Sequence, residues 1–311
     1  MTAKKIVYLN GSYIDESEAK LSIHDRGFIY GDAAYDIGRT FNHQPFKWKE
    51  HISRLYRSLQ YIQIDIGLTQ DEMYDITMEV FRRNLKNLEP KDDCLVIHRI
   101  SRGAEVFPGG GVTLKETMQP TVLVECRPIR FESFAGKYVE GVHVIVASTR
   151  RTPPQCIDPK GKLQNKLNHI LAELEVKRLD SSAFALMLDT RGFLAECTAQ
   201  NIFLVKEGKL LTPKGDYVLE GITRNTIMEL APKIGISCFE TDLTTYDLYN
   251  SDEVFISTTS LSIMPVSKLN GKPLDNPVPG PVTKRLLSAW SKMVGIDIVE
   301  QALSHRFSLH Q

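Results

Sequence analysis

The chain has 311 residues, 42% hydrophobic and 24% charged, which is a normal globular composition with length enough for two domains. Lys plus Arg equals Asp plus Glu at 38 each, which excludes the cationic footprint of a nucleic-acid or anionic-membrane binder. No stretch is long and apolar enough to span a bilayer, the opening "MTAKKIVYLNG" lacks the apolar core of a signal peptide, and five scattered cysteines without CxxC spacing read as reduced thiols of a cytoplasmic protein.

In chain order, "KIVYLNGSYID" predicts a hairpin turning at Asn10-Gly11. The glycine-marked "RGFIYGDAAYDIGRTF" follows. In "EHISRLYRSLQYI", Ile52, Leu55, Leu59 and Ile62 fall on one helical stripe, and a second helix is predicted from Asp71 to about Asn87. Strands at "CLVIHRIS" and "PTVLVEC" complete an α/β N-terminal domain, residues 1–127. The polar, aperiodic "RPIRFESFAGKYVEG" reads as a linker, set at 128–137, and a C-terminal domain, 138–311, opens with the strand "VHVIVAS". Leu167, Ile170, Leu171 and Leu174 in "LNHILAEL" predict a helix from about Lys166. "AFALMLDTRGFLAE" and "NIFLVKEGKLLTP" each read strand, turn, strand. "GITRNTIMELAPKIG" is a loop feeding a helix, ended or kinked at Pro232. "DEVFISTTSLSIMPVSKLNGKPL" is a strand, a polar turn and a hairpin at Asn270-Gly271, and "GPVTKRLLSAWSKMVG" closes with an amphipathic helix.

The usual chemical signatures are absent. Eight histidines show neither HExxH nor paired metal spacing, and there is no GxSxG elbow. "PGGGV" at 108–112 lacks the Gly-Lys-Ser/Thr ending of a phosphate loop and reads as a flexible loop. Two stretches are better suited to an anion. Gly221, Ile222 and Thr223 precede a helix, where free N–H groups and a hydroxyl favour a phosphate. Ser257 to Ser260 are four hydroxyl residues at a strand end, a composition that polar turns share. A phosphate site without a nucleotide loop, beside the lysines of "DPKGKLQNKLNHI", suggests pyridoxal phosphate. That cofactor needs a lysine, a partner for its ring nitrogen and anion binders. Lys160, Lys162 and Lys166 are all admissible as the lysine or as solvated cations, and Glu196 in "LAECTAQN" as the ring partner or a surface glutamate.

These motifs, in this order from "YLNG" through "GFIYGD", "EHISRL" and "DPKGK" to "GPVTK", resemble the fold-type IV pyridoxal-phosphate enzymes over nearly the whole chain. That group includes branched-chain aminotransferases, D-amino acid aminotransferases, (R)-selective amine transaminases and aminodeoxychorismate lyases. The resemblance implies a two-domain α/β fold, with a smaller N-terminal domain and a larger C-terminal mixed α/β domain that binds the cofactor. It implies Lys162 as the Schiff-base lysine and catalytic base, and Glu196 as partner of the pyridine nitrogen. It assigns the phosphate to Arg54, Ile222, Thr223 and Thr259, and puts Ser260 near the substrate. It implies a homodimer and ping-pong transfer from an amino donor to a keto acid, without nucleic acid, membrane or metal.

For the substrate, Tyr30 and Arg39 match pocket positions of the branched-chain enzymes, but the "YIR" strand of those enzymes is replaced by Leu95 and Ile97 in "LVIHRISRG". Arg99, two residues on and on the same strand face, either supplies that charge from a shifted position or forms a structural ion pair. The Arg-x-His trap of the D-amino acid enzymes is missing from "SRGAEVFPGGGV". "YGDAAYD" and "IDPK" are similar to the (R)-amine enzymes, which usually lack an arginine at position 39. Lys166 stands where branched-chain enzymes tend to carry a tyrosine, and either shifts the ring's electronics or faces solvent. The expectation is an aliphatic, branched-chain-like L-amino acid as donor and 2-oxoglutarate or another keto acid as acceptor. The alternatives are a D-amino acid or (R)-amine transaminase, an aminodeoxychorismate lyase, and a non-catalytic cofactor-binding protein.

Overall fold

The computed structural model describes residues 4–104 and 118–306, so "PGGGV" lies outside the described residues. The chain divides into two compact units, Met1–Ile129 with Gly161–Lys166, and Arg130–Lys160 with Leu167–Gln311.

The first unit opens with β1 (Ile6–Leu9) and β2 (Ser12–Asp15), paired Leu9 to Ser12. Both turn residues have positive φ, Asn10 at 46° and Gly11 at 92°, as a tight type I′ hairpin requires. Then come α1 (Arg26–Tyr30), β3 (Ala33–Phe41), β4 (Gln44–Phe46), α2 (Trp48–Tyr61), α3 (Gln70–Leu85), β5 (Cys94–Ser101) and β6 (Thr121–Pro128). The strands form one antiparallel sheet in the order β2-β1-β6-β5-β3-β4. Alternation splits its side chains between two faces. On one face Ala34, Val96, Ile100 and Val124 pack with Ile52, Leu55 and Leu59 of α2 and Met73 and Val80 of α3. Gly38 lets Trp48 lie on the strand, since a Cβ there would stand 2.7 Å from the indole. A capping box of Thr69 and Glu72 starts α3 one residue before the predicted Asp71. The other face is a grid set by register, with rows Tyr35–Arg99–Leu123, Ile37–Ile97–Glu125 and Arg39–Leu95–Arg127.

The second unit comprises α4 (Lys137–Glu140), β7 (Val142–Val146), α5 (Leu167–Leu179), β8 (Phe184–Leu188), β9 (Leu194–Cys197), β10 (Asn201–Lys206), β11 (Lys209–Pro213), α6 (Ile222–Lys233), β12 (Cys238–Thr241), α7 (Thr245–Tyr249), β13 (Glu253–Thr258), β14 (Ser262–Leu269), β15 (Lys272–Pro273), α8 (Pro281–Val294) and α9 (Ile298–Ser304). Its mixed sheet runs β12-β11-β10-β13-β14-β7-β8-β9, with β15 paired to β14. Pro232 falls in the last turn of α6, which ends one residue later. On α5 the inward residues are His169, Ala172 and Val176, whereas the predicted stripe of Leu167, Ile170, Leu171 and Leu174 is exposed at 46–65%.

Two divisions read from the sequence change. The 128–137 stretch is not a free linker, because Phe131 and Ala135 are buried and Ala135 N donates to Phe131 O in a tight turn. Gly161–Lys166 belongs to the first unit because its backbone is bonded there. Tyr35 N donates to Lys162 O, Gln164 N to Ala33 O, and Lys162 N to Ser58 Oγ.

Candidate active site

In the first unit Lys162 is held by its backbone between β3 and α2. Its Nζ lies over the Tyr35 ring, 4.5 Å from the centroid, and Lys166 Nζ is 5.9 Å from the same centroid. Lys160 is exposed and its ammonium lies 3.9 Å from Asp158. The three lysines of one short segment thus have different surroundings, and Lys162 has the most fixed backbone.

Arg54, on the buried face of α2, makes a two-point ion pair with Asp36 of β3, Nε to Oδ2 and NH2 to Oδ1, both 2.8 Å. His51, one turn earlier, places Nδ1 2.7 Å from Asp36 Oδ1. Burial raises the Asp36 pKa, but the Arg54 charge and the His51 hydrogen bond outweigh it and hold the carboxyl well below the usual carboxylate range. Burial lowers His51, against the pull of Asp36. His98 of β5, whose Nε2 is 2.8 Å from Thr77 Oγ1, is pushed down by burial to about 4.

The second unit carries another set. Glu196 at the end of β9 is buried, with Oε1 accepting from Arg151 Nε at 3.1 Å and Oε2 from Leu219 N at 3.0 Å and Asn201 Nδ2 at 3.3 Å. Asn201 pairs in the β10–β13 ladder with Ser257, so both side chains share one face. Gly221, the residue before α6, makes no side-chain cap, and a Cβ on it would run into Asn201 Oδ1. Ile222 and Thr223 open the helix and are buried. Ser257 Oγ is buried and has no hydrogen-bond partner among the described residues. Thr259 and Ser260 are half-buried in the turn between β13 and β14.

The expected pocket residues fare differently. Tyr30 stands half-exposed on α1 with the Arg26 guanidinium 4.6 Å over its ring. Arg39 is buried in the first unit. Its Nε donates to Thr40 O at 2.9 Å, its guanidinium lies over Phe41, and it faces Asp93, which Thr40 Oγ1 and the Asn42 and His43 N–H groups fix. Arg99 NH1 lies against the buried Glu125 carboxylate. Sequence reasoning missed Asp36, His51, Arg151 and Asn201, and none has a local motif to mark it.

The family model described as amino-transferase class IV matches residues 33–269. A Methanocaldococcus jannaschii protein, provisionally named a branched-chain-amino-acid aminotransferase, is 37% identical over 90% of this chain and 93% of its own. D-alanine aminotransferase of Staphylococcus haemolyticus is 30% identical over 93% of this chain and 97% of its own. Among solved structures, the branched-chain aminotransferase of Thermoproteus uzoniensis with norvaline superposes with TM-score 0.82 at 28% identity, covering 94% of this chain and 95% of that one. A branched-chain amino acid aminotransferase from T.th. with pyridoxamine 5'-phosphate gives 0.83 at 26%, covering 95% and 96%. These matches span both units, and with them the chain belongs to the class IV aminotransferases: a fold-type IV, pyridoxal-phosphate-dependent transaminase.

Proposed function

We propose that the chain transfers the amino group of an aliphatic, branched-chain-like L-amino acid to 2-oxoglutarate or a related keto acid by ping-pong turnover. The observation that carries this reading is the set of residues on the Tyr35 face of the first unit's sheet. Tyr35, beneath Lys162 Nζ, adjoins Ile37 on its own strand, and Ile37 is paired with Ile97. The pair offers an aliphatic floor one step along the strand from the amine.

The residues fit pyridoxal phosphate. α6 begins without a side-chain cap, so its first N–H groups are available to a phosphate, and the orphaned Ser257 Oγ lies on the sheet face of Asn201, against which Gly221 is packed. In this reading Ile222 N, Thr223, Thr259 and Arg54 hold the phosphate, and Glu196 meets the ring nitrogen. When bound, the cofactor supplies an aldehyde carbon that takes up the amino group and a cationic ring that withdraws electrons from the bond being broken. Arg151, Asn201 and Leu219 N fix the Glu196 carboxylate, so it meets a ring N–H without reorganising. Lys162 Nζ would hold the cofactor and, once freed by the donor amine, would carry the donor's α-proton across the C–N linkage to the carbon that had held the lysine. Ser58 and Tyr35, which pin the Lys162 backbone, aim that nitrogen. Tyr30, Arg39, Arg99 and Ser260 complete the substrate side of the reading.

Cytoplasmic location and a homodimer belong to the same reading. All five cysteines are free, and among the described residues no helix is long and apolar enough to cross a membrane. The exposed α5 stripe is the face that a second copy would cover.

The test is a visible spectrum of the holoenzyme during addition of L-leucine. A band bleached by L-leucine and restored by 2-oxoglutarate supports the assignment. A band that persists rejects L-leucine, and D-alanine and (R)-1-phenylethylamine become the next donors. Pyruvate release from aminodeoxychorismate without a keto acid marks the lyase alternative.

A further inference from the structure

Two elements of the first unit grip the Lys162 backbone, and one ion network ties those elements together. β4 covers the outer edge of β3 only from Arg39 to Phe41. Nearer the start of β3, the lysine segment takes that edge. Tyr35 N donates to Lys162 O at 3.0 Å, Gln164 N donates to Ala33 O at 2.8 Å, and Ala34 bridges Leu163. The second grip comes from α2, where Ser58 Oγ accepts from Lys162 N at 3.0 Å. The aim of the lysine therefore depends on a fixed separation between the start of β3 and α2.

Asp32 directly precedes β3, and Arg102 directly follows β5. Arg102 Nε and NH2 donate to Asp32 Oδ2 and Oδ1 at 2.7 and 3.0 Å. The same guanidinium reaches the chain leaving α2, with NH2 donating to Ile62 O at 2.7 Å and NH1 to Gln63 O at 2.9 Å. Carbonyls at a helix C-terminus carry partial negative charge and favour a cation. Arg26 Nε adds a third bond to the carboxylate, 2.9 Å from Oδ2. The backbone follows the side chains, Arg102 N donating to Asp32 O and Asp32 N to Arg26 O. Arg26, Asp32 and Arg102 side chains are only 6%, 16% and 13% exposed, so water and salt screen the network weakly. Burial raises the Asp32 pKa, but the hydrogen bonds and charges of Arg102 and Arg26 outweigh it and hold the carboxyl below its ordinary value. One planar guanidinium thus bonds the start of β3 and the end of α2 at once, a geometry that a lysine ammonium lacks.

We propose that Asp32 and Arg102 are positioning residues for Lys162: their clamp sets the separation of β3 and α2 that holds the lysine backbone. This deepens the aminotransferase reading and rests on it for the role of Lys162. The clamp itself is open to a test that needs no turnover.

The experiment is hydrogen–deuterium exchange of the holoenzyme, resolved to the peptides that hold Tyr35, Lys162 and Gln164. It compares wild type with Asp32→Asn, which removes the charge, and Arg102→Lys, which keeps the charge and loses the fork. In both variants these peptides exchange about tenfold faster, as expected for the loss of a hydrogen bond between charged groups. The β5–β6 ladder keeps its wild-type rates. A second readout is the maximal rate at which L-leucine bleaches the visible band. It falls about 10- to 100-fold for a misaimed amine, while the half-saturating concentration stays near that of wild type. Unchanged exchange at the three amides in both variants overturns the clamp. So does faster exchange spread evenly over β5 and β6, the mark of a merely structural loss, or a faster-exchanging segment with an unchanged bleaching rate. A wild type that L-leucine does not bleach sinks the donor assignment, and the exchange pattern then decides the clamp by itself.

Discussion

Asp36 and Arg54 meet in a buried two-point ion pair on the covered side of the first sheet, with His51 on the same carboxylate and His98 on the next strand. Breaking such a pair from one side strands a buried charge at about 3–5 kcal/mol. Asp36→Asn is expected to cost stability on that scale at pH 7, and a weakened hold on Arg54 should raise the cofactor's Kd.

The cluster also sets a pH dependence. The folded pKa of His98, about 4, lies below the ordinary value near 6.5, so the fold favours the neutral ring. Its contribution is full above pH 6.5 and is lost as pH falls to 4, about 3 kcal/mol over that window. His51 acts in the same direction. Asp36 is depressed, so its contribution is present above pH 4 and is lost below it. His98→Gln should flatten the fall in unfolding midpoint between pH 6.5 and 4.5; a slope equal to wild type would refute this account.

Lys162→Ala is expected to lower turnover at least ~1,000-fold, since the amine is both the attachment point and the proton carrier. The visible band should be lost while the far-ultraviolet circular dichroism stays. Lys160→Ala, which touches only an exposed pair with Asp158, should turn over at the parent rate. Near-normal activity and spectrum in Lys162→Ala would remove Lys162 from the reaction.

What the sequence reveals is what local periodicity encodes. The Asn10-Gly11 hairpin and the Ile52–Leu55–Leu59 stripe follow from neighbours a few residues apart, and the structure has both. The resemblance named Lys162 and Glu196 but not what holds them. Asp36 and Arg54 are 18 residues apart, and Arg151 and Glu196 are 45 apart. Those pairs exist only once strand register and helix packing are fixed. Arg39 and Asp93 are likewise far apart in sequence, and only the fold brings their charges within 4.0 Å.

Gly221 offers a test of the second unit alone. A Cβ there would collide with Asn201 Oδ1, and Asn201 supports Glu196 and the Leu219 carbonyl. Gly221→Ala should therefore displace Asn201, tilt the start of α6 and weaken the cofactor about fivefold, one lost hydrogen bond being worth about 1 kcal/mol. Equilibrium dialysis against pyridoxal phosphate reads this directly. An unchanged Kd would show that neither the α6 N-terminus nor the Glu196 shell contributes to binding.

The α5 stripe bears on assembly. Leu167, Ile170, Leu171 and Leu174 lie at i, i+3, i+4 and i+7 and are exposed, while His169, Ala172 and Val176 face inward. Burying a leucine contributes roughly 1.5–3 kcal/mol. Replacing Leu171 and Leu174 by Glu should weaken a dimer that uses this face by two orders of magnitude or more. Glutamate is a good helix former, so the fold of a chain whose own core does not use these positions should survive. Sedimentation velocity should show a wild-type dimer and a variant monomer with unchanged helical content. A variant that remains dimeric would move the interface elsewhere, and a monomeric wild type would mean that the stripe tolerates water on its own.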